Sequence, residues 1–232
     1  MKCNICLEGE MNSIGSTPFD KNNQNIPVVS NTLMEYYKCI KCNSIVCPEM
    51  LGWSQDRFSS DIYNDEYTKY DPDYLDKRPR VWTGLLSGLN YRKIKHLDYG
   101  SGMGILSSNL INKGWNSCSY DPYSSKLVPK GKFNFITAIE VFEHSPNIHD
   151  TIADIRKYLQ RDGVILFSTL LADKDTNINW WYIMPRNGHI SILSSIALIN
   201  LAKRHSLFFS SLNKGIHILQ TNRSAAKQIG VK

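Results

Sequence analysis

The segment DYGSGMG (residues 98–104) constrains the fold of this 232-residue chain more than any other stretch. It follows a short apolar run from Ile94 that is typical of a buried strand, and Ile105, Leu106 and Leu110 behind it form a helical stripe. Glycines at alternate positions bring bare backbone close to a ligand at the turn between strand and helix. The loop alone is compatible with three kinds of ligand: a dinucleotide, a nucleoside or a phosphate.

Strand and helix patterns alternate along the chain around this loop. A helical stripe of Val81, Leu85, Leu86 and Leu89 precedes it. The elements predicted after it are, in order, strands 115–120 and 133–139, a helix with Ile148, Ile152, Ile155 and Leu159 on one face, a turn at Asp162-Gly163, strand 164–170, helix 191–204 and closing strands 207–210 and 216–220. This alternation predicts an α/β fold with a mostly parallel sheet and helices on both faces.

The acidic residues near the loop help to choose among its ligands. A dinucleotide fingerprint, G-x-G-x-x-G, needs a glycine where this chain has Ile105, and the carboxylate of Asp98 suits an amino group better than a phosphate. Asp121 ends the strand 115–120, where a carboxylate can accept both hydroxyls of an unphosphorylated ribose. A plain Asp-Pro turn is the alternative interpretation of Asp121. A nucleoside with an amino-acid arm and no phosphate describes S-adenosylmethionine.

Four features of the sequence resemble the class I S-adenosylmethionine-dependent methyltransferases. DYGSGMG is similar to their first motif, and Asp121 to their ribose-binding acid. FNFITAIEVFEHSPN (133–147) resembles their fourth-strand segment, and LQRDGVILFSTLL (159–171) their fifth strand with the turn before it. The resemblance covers residues 80–220 and implies a Rossmann-like fold and a methyltransferase with S-adenosylmethionine as cofactor.

The resemblance also implies the residues that bind the cofactor: Asp98, Gly100, Ser101, Gly102, Gly104, Asp121, Pro122 and Glu140. The chain departs from the family pattern at Asn134, where the family usually has aspartate. The stretch between Asp121 and Phe133 is also too short for a full third strand and its helix. This second departure leaves the residues around the adenine unassigned.

Two histidines are candidates for the proton transfer that methylation of a hydroxyl or an amine requires. Methyl transfer from a sulfonium is an in-line displacement that benefits from a general base with a pKa near neutrality, which favours histidine. His144 follows the fourth strand in EVFEH, and His189 follows the fifth strand in the segment where such folds cover the acceptor. We therefore predict catalytic roles for His189 and His144, with structural histidines as the alternative.

Four cysteines near the N-terminus have the spacing of metal ligands. Cys3-x2-Cys6 and Cys39-x2-Cys42 are separated by 32 residues, more than the usual spacing of a compact zinc ribbon. Two such pairs supply four thiolates and predict a structural zinc ion with no open position for catalysis. Disulfides, a redox pair and chance spacing remain alternatives, and Cys47 could replace one of the four ligands.

These patterns predict four regions. Residues 1–50 form a small zinc-binding module, residues 51–80 a Tyr-rich linker or lid, residues 81–222 the methyltransferase domain and residues 223–232 a polar tail. The composition, 42% apolar and 21% charged, is typical of a soluble globular protein. The start MKCNICLEGE lacks the apolar core of a secretory signal, and no apolar run is long enough for a membrane span, so we expect a cytoplasmic protein.

The function predicted from these features is methyl transfer from S-adenosylmethionine to a small-molecule or sugar acceptor. The formal net charge of +6 comes from basic residues that are spread along the chain. These residues could lie on solvated faces or form a surface that binds nucleic acid, and the charge does not choose between the two. One alternative is therefore a zinc-containing methyltransferase of ribosomal RNA. Another is a zinc-bearing binding module without catalytic activity.

Overall fold

The computed structural model describes residues 1–21, 32–124 and 128–231 of the chain. It divides the chain into two compact units. The first, here called the cysteine unit, comprises Met1–Asp71, Phe142–His149 and Leu170–Leu201. The second, here called the loop unit, comprises Pro72–Val141, Asp150–Thr169 and Ala202–Lys232.

The described residues form strands and helices throughout both units. The strands are β1 (Met11–Pro18), β2 (Leu33–Cys39), β3 (Ile45–Val46), β4 (Lys95–Tyr99), β5 (Asn116–Tyr120), β6 (Phe133–Ile139), β7 (Leu159–Ser168), β8 (Ser191–Ile192), β9 (Phe208–Ser211) and β10 (Ile216–Gln220). The α-helices are α1 (Pro48–Leu51), α2 (Gln55–Asp61), α3 (Tyr67–Tyr70), α4 (Lys77–Leu86), α5 (Ile105–Asn112), α6 (Ile148–Tyr158), α7 (Ser195–Arg204) and α8 (Ala225–Gln228). Short 3-10 turns cover Tyr91–Lys93, Phe142–His144 and Pro185–Asn187.

The loop unit contains a six-stranded sheet in the order β5-β4-β6-β7-β10-β9. The first four strands run parallel, β10 runs antiparallel to β7, and β9 runs antiparallel to β10. The predicted α/β fold with a mostly parallel sheet and two closing strands is therefore confirmed. Between Asp121 and Phe133 the described residues add no strand, so β5 lies at an edge of this sheet.

The strand after α6 differs from its prediction. The dipeptide Asp162-Gly163 was expected to turn the chain before the strand, but β7 starts at Leu159 and continues to Ser168. Phe133 of β6 pairs with Leu159, whereas Phe135 pairs with Val164, so the intervening residues form a bulge within the pairing. Residues 160–163, which include the dipeptide, lie opposite the single residue Asn134, so the chain leaves the regular ladder at this point and rejoins it at Val164.

The helical stripe predicted before the glycine loop is only partly correct. Val81 and Leu85 are 50% and 55% exposed, whereas the neighbouring face of α4 buries Trp82 and Leu86 in the core of the loop unit. Trp82 and Leu86 are also four residues apart and together bring more apolar surface to the core. The face containing the tryptophan is therefore the buried one.

The end of the chain also differs from the expected polar tail. Its described residues contain α8, and Ala225, Ala226, Ile229 and Val231 lie in the core cluster of the loop unit. The amide of Ala226 donates a hydrogen bond to the side chain of Gln220 at the end of β10. The apolar side chains of this segment are thus buried, although charged residues alternate with them in the sequence. Lys232 lies outside the described residues.

The cysteine unit has its own antiparallel sheet in the order β1-β2-β3-β8. Strand β8 comes from the segment 170–201, and its pairing with β3 brings this segment to the residues around the cysteines. The compact unit is thus larger than the predicted module 1–50. It also contains the first part of the Tyr-rich segment, which is divided between the two units at Asp71 and Pro72. Along the described part of the chain, no helix has the length and apolarity to cross a membrane.

Candidate functional site

The glycine loop follows β4 in the loop unit and leads directly into α5. Gly100, Gly102 and Gly104 have φ angles of 70°, 50° and 71°, in the left-handed region that favours glycine. The amide of Gly100 donates to the carbonyl of Tyr120 at 2.8 Å, and that of Ser101 donates to the same carbonyl at 3.3 Å. The loop is therefore tied to the end of β5.

Two of these positions also have no room for a side chain. A Cβ atom on Gly100 would lie 2.5 Å from Cγ2 of Val141, and one on Gly102 would lie 2.1 Å from the hydroxyl of Tyr74. Tyr74 was not among the predicted site residues. The only sequence signal for it was its membership of the Tyr-rich segment 51–80. Its hydroxyl lies directly against the backbone of the loop.

Asp98 lies at the end of β4, beneath the loop. Its side chain is buried, and Oδ1 accepts a hydrogen bond from the hydroxyl of Thr137 at 2.8 Å. Burial raises the pKa of this carboxyl to about 7, and the nearby charge of Asp121 adds to the increase. A cationic group bound next to Asp98 would favour its ionised form.

Asp121 directly follows β5 and holds the loop from the other side. Its Oδ2 accepts from the amide of Gly102 at 3.0 Å, and its Oδ1 accepts from the amides of Tyr123 and Ser124 at 2.9 and 3.2 Å. Pro122, beside it, is exposed. A carboxylate has about four acceptor positions, so a bound ribose would share this group with the backbone.

Glu140 comes directly after β6 in the same unit. Its φ angle of 52° is unusual for a residue with a side chain, and such backbone conformations cost about 1–3 kcal/mol and cluster at functional sites. Ser168 holds this conformation, because its hydroxyl accepts from the Glu140 amide at 2.9 Å and donates to Oε1 at 2.6 Å. The structure thus bonds Asp121 to the glycine loop, places Asp98 on the strand before that loop and places Glu140 directly after β6.

His144 and His189 lie together in the cysteine unit, with ring centroids 5.1 Å apart. Nδ1 of His189 is 2.7 Å from the carbonyl oxygen of Tyr182, and Nδ1 of His144 is 3.1 Å from that of Gly188. Because a carbonyl oxygen only accepts, Nδ1 is the donor in both contacts. Nδ1 of His144 also lies 3.2 Å from the hydroxyl of Tyr63. His189 is only 5% exposed.

Glu143 is fully buried beside these histidines. Its Oε1 accepts a hydrogen bond from the hydroxyl of Tyr182, and its backbone carbonyl accepts from the amide of Ile190 at 2.9 Å. Glu143, His144 and His189 each offer one metal-ligating atom, and these atoms lie within 4.8 Å of one another. The unit therefore contains a compact cluster of two imidazoles and a carboxylate.

Arg186 fixes the Tyr-rich segment within the cysteine unit. Its guanidinium donates to the carbonyl of Ile62 at 2.8 Å and to Oδ1 of Asn64 at 3.1 Å, and it lies 4.1 Å from the ring centroid of Tyr70. Arg186 itself is 4% exposed. These contacts make residues 62–70 part of the packed unit.

The four cysteines predicted as zinc ligands form one buried cluster. The sulfur atoms of Cys3, Cys6, Cys39 and Cys42 all lie within 4.8 Å of one another. The sulfurs of Cys3 and Cys42 are 3.9 Å apart, and those of Cys6 and Cys39 are 3.7 Å apart. Cys47 is also buried but is not part of this cluster, and burial raises the pKa of its thiol to about 11.

A family model described as a methyltransferase domain matches residues 68–207, more than half of the chain. The chain therefore belongs to this methyltransferase family, which confirms the predicted enzyme class. The matched region contains the glycine loop, Asp121, Glu140 and both candidate histidines. No curated protein sequence matches the chain.

Solved structures resemble this chain at low sequence identity. An O-methyltransferase family protein from Burkholderia thailandensis is 10% identical, with a TM-score of 0.52 over 74% of this chain and 66% of its own. TnmH is 10% identical, with a TM-score of 0.49 over 66% and 57%. A 1,6-didemethyltoxoflavin-N1-methyltransferase from B. thailandensis, solved with 1,6-didemethyltoxoflavin and S-adenosylhomocysteine, is 12% identical, with a TM-score of 0.49 over 79% and 98%. The chain spans less than two thirds of the length of the first two proteins.

Proposed function

We propose that the protein is an S-adenosylmethionine-dependent methyltransferase that acts on a small-molecule or sugar acceptor. The observation that carries this proposal is a glycine loop with one carboxyl group on the strand before it and a second bonded to its backbone. Asp98 is buried beneath the loop, and Asp121 accepts from the amide of Gly102. Both belong to the segment that matches the methyltransferase family.

The residues of the loop unit fit this cofactor. The left-handed glycines let Val141 and Tyr74 pack directly against the backbone of the loop, where a Cβ atom would collide with them. Asp98 would accept from the ammonium group of the methionine part, because a cation offsets the cost of ionising a buried carboxyl. Asp121 would accept from the ribose hydroxyls, while Ser101, Pro122 and Glu140 would complete the contacts.

The cofactor, when bound, supplies a methyl group on a positively charged sulfur. The contribution of the protein is then to position that group, to exclude water and to hold the acceptor in line. Rigid loop contacts serve this purpose, since the glycine loop is bonded to β5 through the carbonyl of Tyr120 and the side chain of Asp121. The general-base roles of His189 and His144 stay predictions.

The basic residues of the cysteine unit support a small acceptor over RNA. Three of the four lysines in residues 1–50 are engaged within the unit. Lys21 and Lys38 each donate to two backbone carbonyls, and Lys41 forms an ion pair with Glu8. Binding to RNA requires basic side chains that contact phosphates.

We also propose that the four-cysteine cluster holds a structural zinc ion. Thiolates bound to one tetrahedral zinc ion at about 2.3 Å have sulfur atoms about 3.8 Å apart. The observed separations of 3.9 and 3.7 Å match this value. The hydrogen bond from Cys42 lowers the pKa of the Cys3 thiol to about 5, whereas the contact with Cys3 raises that of Cys42 and burial raises that of Cys39. A bound cation would offset the cost of ionising these thiols.

The backbone around the two cysteine pairs repeats the same geometry. The amide of Leu7 donates to the carbonyl of Cys3 at 3.0 Å, and that of Asn43 donates to the carbonyl of Cys39 at 2.9 Å. Leu7 and Asn43 both have left-handed φ angles, of 64° and 62°. A Cβ atom on Gly9 would lie 2.4 Å from the sulfur of Cys39. Two unrelated segments thus adopt one strained turn, which supports a common ligand.

Turnover of S-adenosylmethionine with candidate acceptors tests the proposed function. Pools of sugar nucleotides, small phenols and amines should give acceptor-dependent formation of S-adenosylhomocysteine, and ribosomal RNA should not. Turnover with RNA alone would support the RNA methyltransferase instead. Binding of the cofactor without turnover on any pool would favour a non-catalytic binding module.

A further inference from the structure

We infer that Glu143, His144 and His189 form a binding site for a divalent transition-metal ion. The site is built from residues other than the four cysteines. It would replace the general-base role predicted for the two histidines, because their Nε2 atoms would be metal ligands. The inference does not depend on the proposed methyl transfer, since metal binding can be measured without cofactor or acceptor.

The ligating atoms are already close to the required arrangement. One atom from each of the three side chains lies within 4.8 Å of the other two. Atoms bound to one ion at about 2.0–2.2 Å are at most about 4.4 Å apart, so small side-chain shifts would bring all three to the ion. Two imidazole nitrogens and one carboxylate oxygen suit zinc, iron, cobalt or manganese.

Each ligand also has the outer hydrogen bond that orients it. Metal-binding histidines usually donate their second ring N–H to a backbone carbonyl or a carboxylate. His189 donates from Nδ1 to the carbonyl of Tyr182 at 2.7 Å, and His144 donates from Nδ1 to that of Gly188 at 3.1 Å. The hydroxyl of Tyr182 donates to Oε1 of Glu143. Tyr182 thus orients two of the three ligands.

Burial and charge favour a cation at this place. Glu143 is 0% exposed and His189 is 5% exposed. A buried carboxylate carries a large desolvation cost, and a divalent ion offsets it. The same burial separates His189 from solvent, whereas a general base needs access to solvent to exchange its proton.

Cobalt titration of the metal-free full-length protein tests the inference, because the two clusters have different spectra. Cobalt bound to thiolates has strong charge-transfer absorption in the near ultraviolet, whereas cobalt bound to imidazole and carboxylate has only weak visible bands. We expect two equivalents of cobalt, one with and one without the thiolate absorption. His144→Gln and Glu143→Gln should each lose the second equivalent and keep the thiolate absorption. His205→Gln, which removes a histidine outside the cluster, should keep both.

Tyr182→Phe provides a milder test that retains the aromatic ring. It removes the hydroxyl that orients Glu143 and should weaken the second cobalt site about 10- to 100-fold, with the thiolate site unchanged. Binding of a single equivalent by the wild-type protein, with thiolate absorption, would overturn the inference even if the variants fail to fold. Undiminished binding of the second equivalent in both glutamine variants would also overturn it. Loss of the thiolate absorption alone would count against the four-cysteine zinc site and not against this one.

Discussion

The carboxylate of Asp121 accepts a hydrogen bond from the backbone amide of Gly102 across 3.0 Å, so the acid after β5 and the loop after β4 hold each other in place. The same carboxylate accepts from two further amides in its own turn. A residue that both shapes the loop and meets the ribose should be sensitive to substitution.

Replacing Asp121 by alanine should therefore weaken cofactor binding strongly. Hydrogen bonds to a charged group contribute about 1.5–3 kcal/mol, so we expect affinity for S-adenosylmethionine to fall at least about tenfold. Isothermal calorimetry measures the change, and Asp175→Ala, at an exposed residue paired with Lys174, is the control. Full affinity in Asp121→Ala would refute the role assigned to this carboxylate.

Valine at Gly100 should abolish cofactor binding. The new side chain would meet Cγ2 of Val141 at 2.5 Å and would strain a backbone with a φ angle of 70°. Gly84→Ala is the matched control, because a Cβ atom at this position in α4 has no neighbour within 4 Å. In a helix that change should stabilise the protein by up to about 1 kcal/mol and leave binding intact. If Gly100→Val is folded by circular dichroism and still binds, the loop is not the cofactor site.

The raised pKa of Asp98 predicts a specific pH dependence of stability. Unfolding returns the carboxyl to its ordinary pKa near 4, whereas in the folded protein burial keeps the value at about 7. The folded state therefore binds more protons, and the contribution of Asp98 to stability is lost as the pH rises from about 4 through 7. Urea unfolding of wild type and Asp98→Asn across this range should show the wild type losing stability relative to the variant. Parallel curves would show that this carboxyl is not protonated in the folded protein.

Binding of a cation at Asp98 should release a proton. An ammonium group next to the carboxyl lowers its pKa, so the wild-type protein should lose close to one proton on binding S-adenosylmethionine at a pH of about 6, and about half a proton at pH 7. Calorimetry in buffers of different ionisation enthalpy measures this number. Asp98→Asn should release no proton from this position, and a similar release from the variant would assign the proton to another group.

Removal of one cysteine of the four-sulfur cluster should release the structural zinc. Cys39→Ser should lose thiolate-bound metal and unfold at lower temperature, because a site with three thiolates holds zinc less tightly. Cys47→Ser is a demanding control, since Cys47 is equally buried but lies outside the cluster. It should keep thiolate-bound metal while costing about 1–3 kcal/mol for a buried hydroxyl. Loss of that metal in Cys47→Ser and not in Cys39→Ser would place Cys47 among the ligands.

Much of the loop unit was predictable because its signals are local. Strand β6 has the predicted bounds, and Ile148, Ile152 and Ile155 form a buried face of α6 as their spacing indicated. Leu159, predicted on the same helical face, is buried as the first residue of β7. The stretch after Asp121 was too short for a third strand, and its described residues add none. Periodic apolar residues reveal which face of an element is buried whenever one face clearly dominates.

The errors arose where that condition fails. On α4 two apolar faces competed, and the face with Trp82 was buried at the expense of Val81 and Leu85. At the C-terminus, four small or branched apolar residues stand among polar and charged ones, a pattern that predicts a tail, although they complete the core of the loop unit. Which apolar surface is buried depends on the partner it meets, and a single sequence does not show the partner.

The sequence by itself determined the methyltransferase class, the parallel sheet and the two C-x2-C pairs that form the cysteine cluster. These features depend on motif spacing and apolar periodicity, which are set by residues close together in the chain. Only the tertiary structure showed that Tyr74 lies against Gly102 and that Glu143 and His144 meet His189. It also showed that β8 joins the sheet of the cysteine unit. These contacts join segments far apart in the chain. They form because buried polar groups need hydrogen-bonding partners and apolar surfaces need cover, and those partners exist only once the chain has folded.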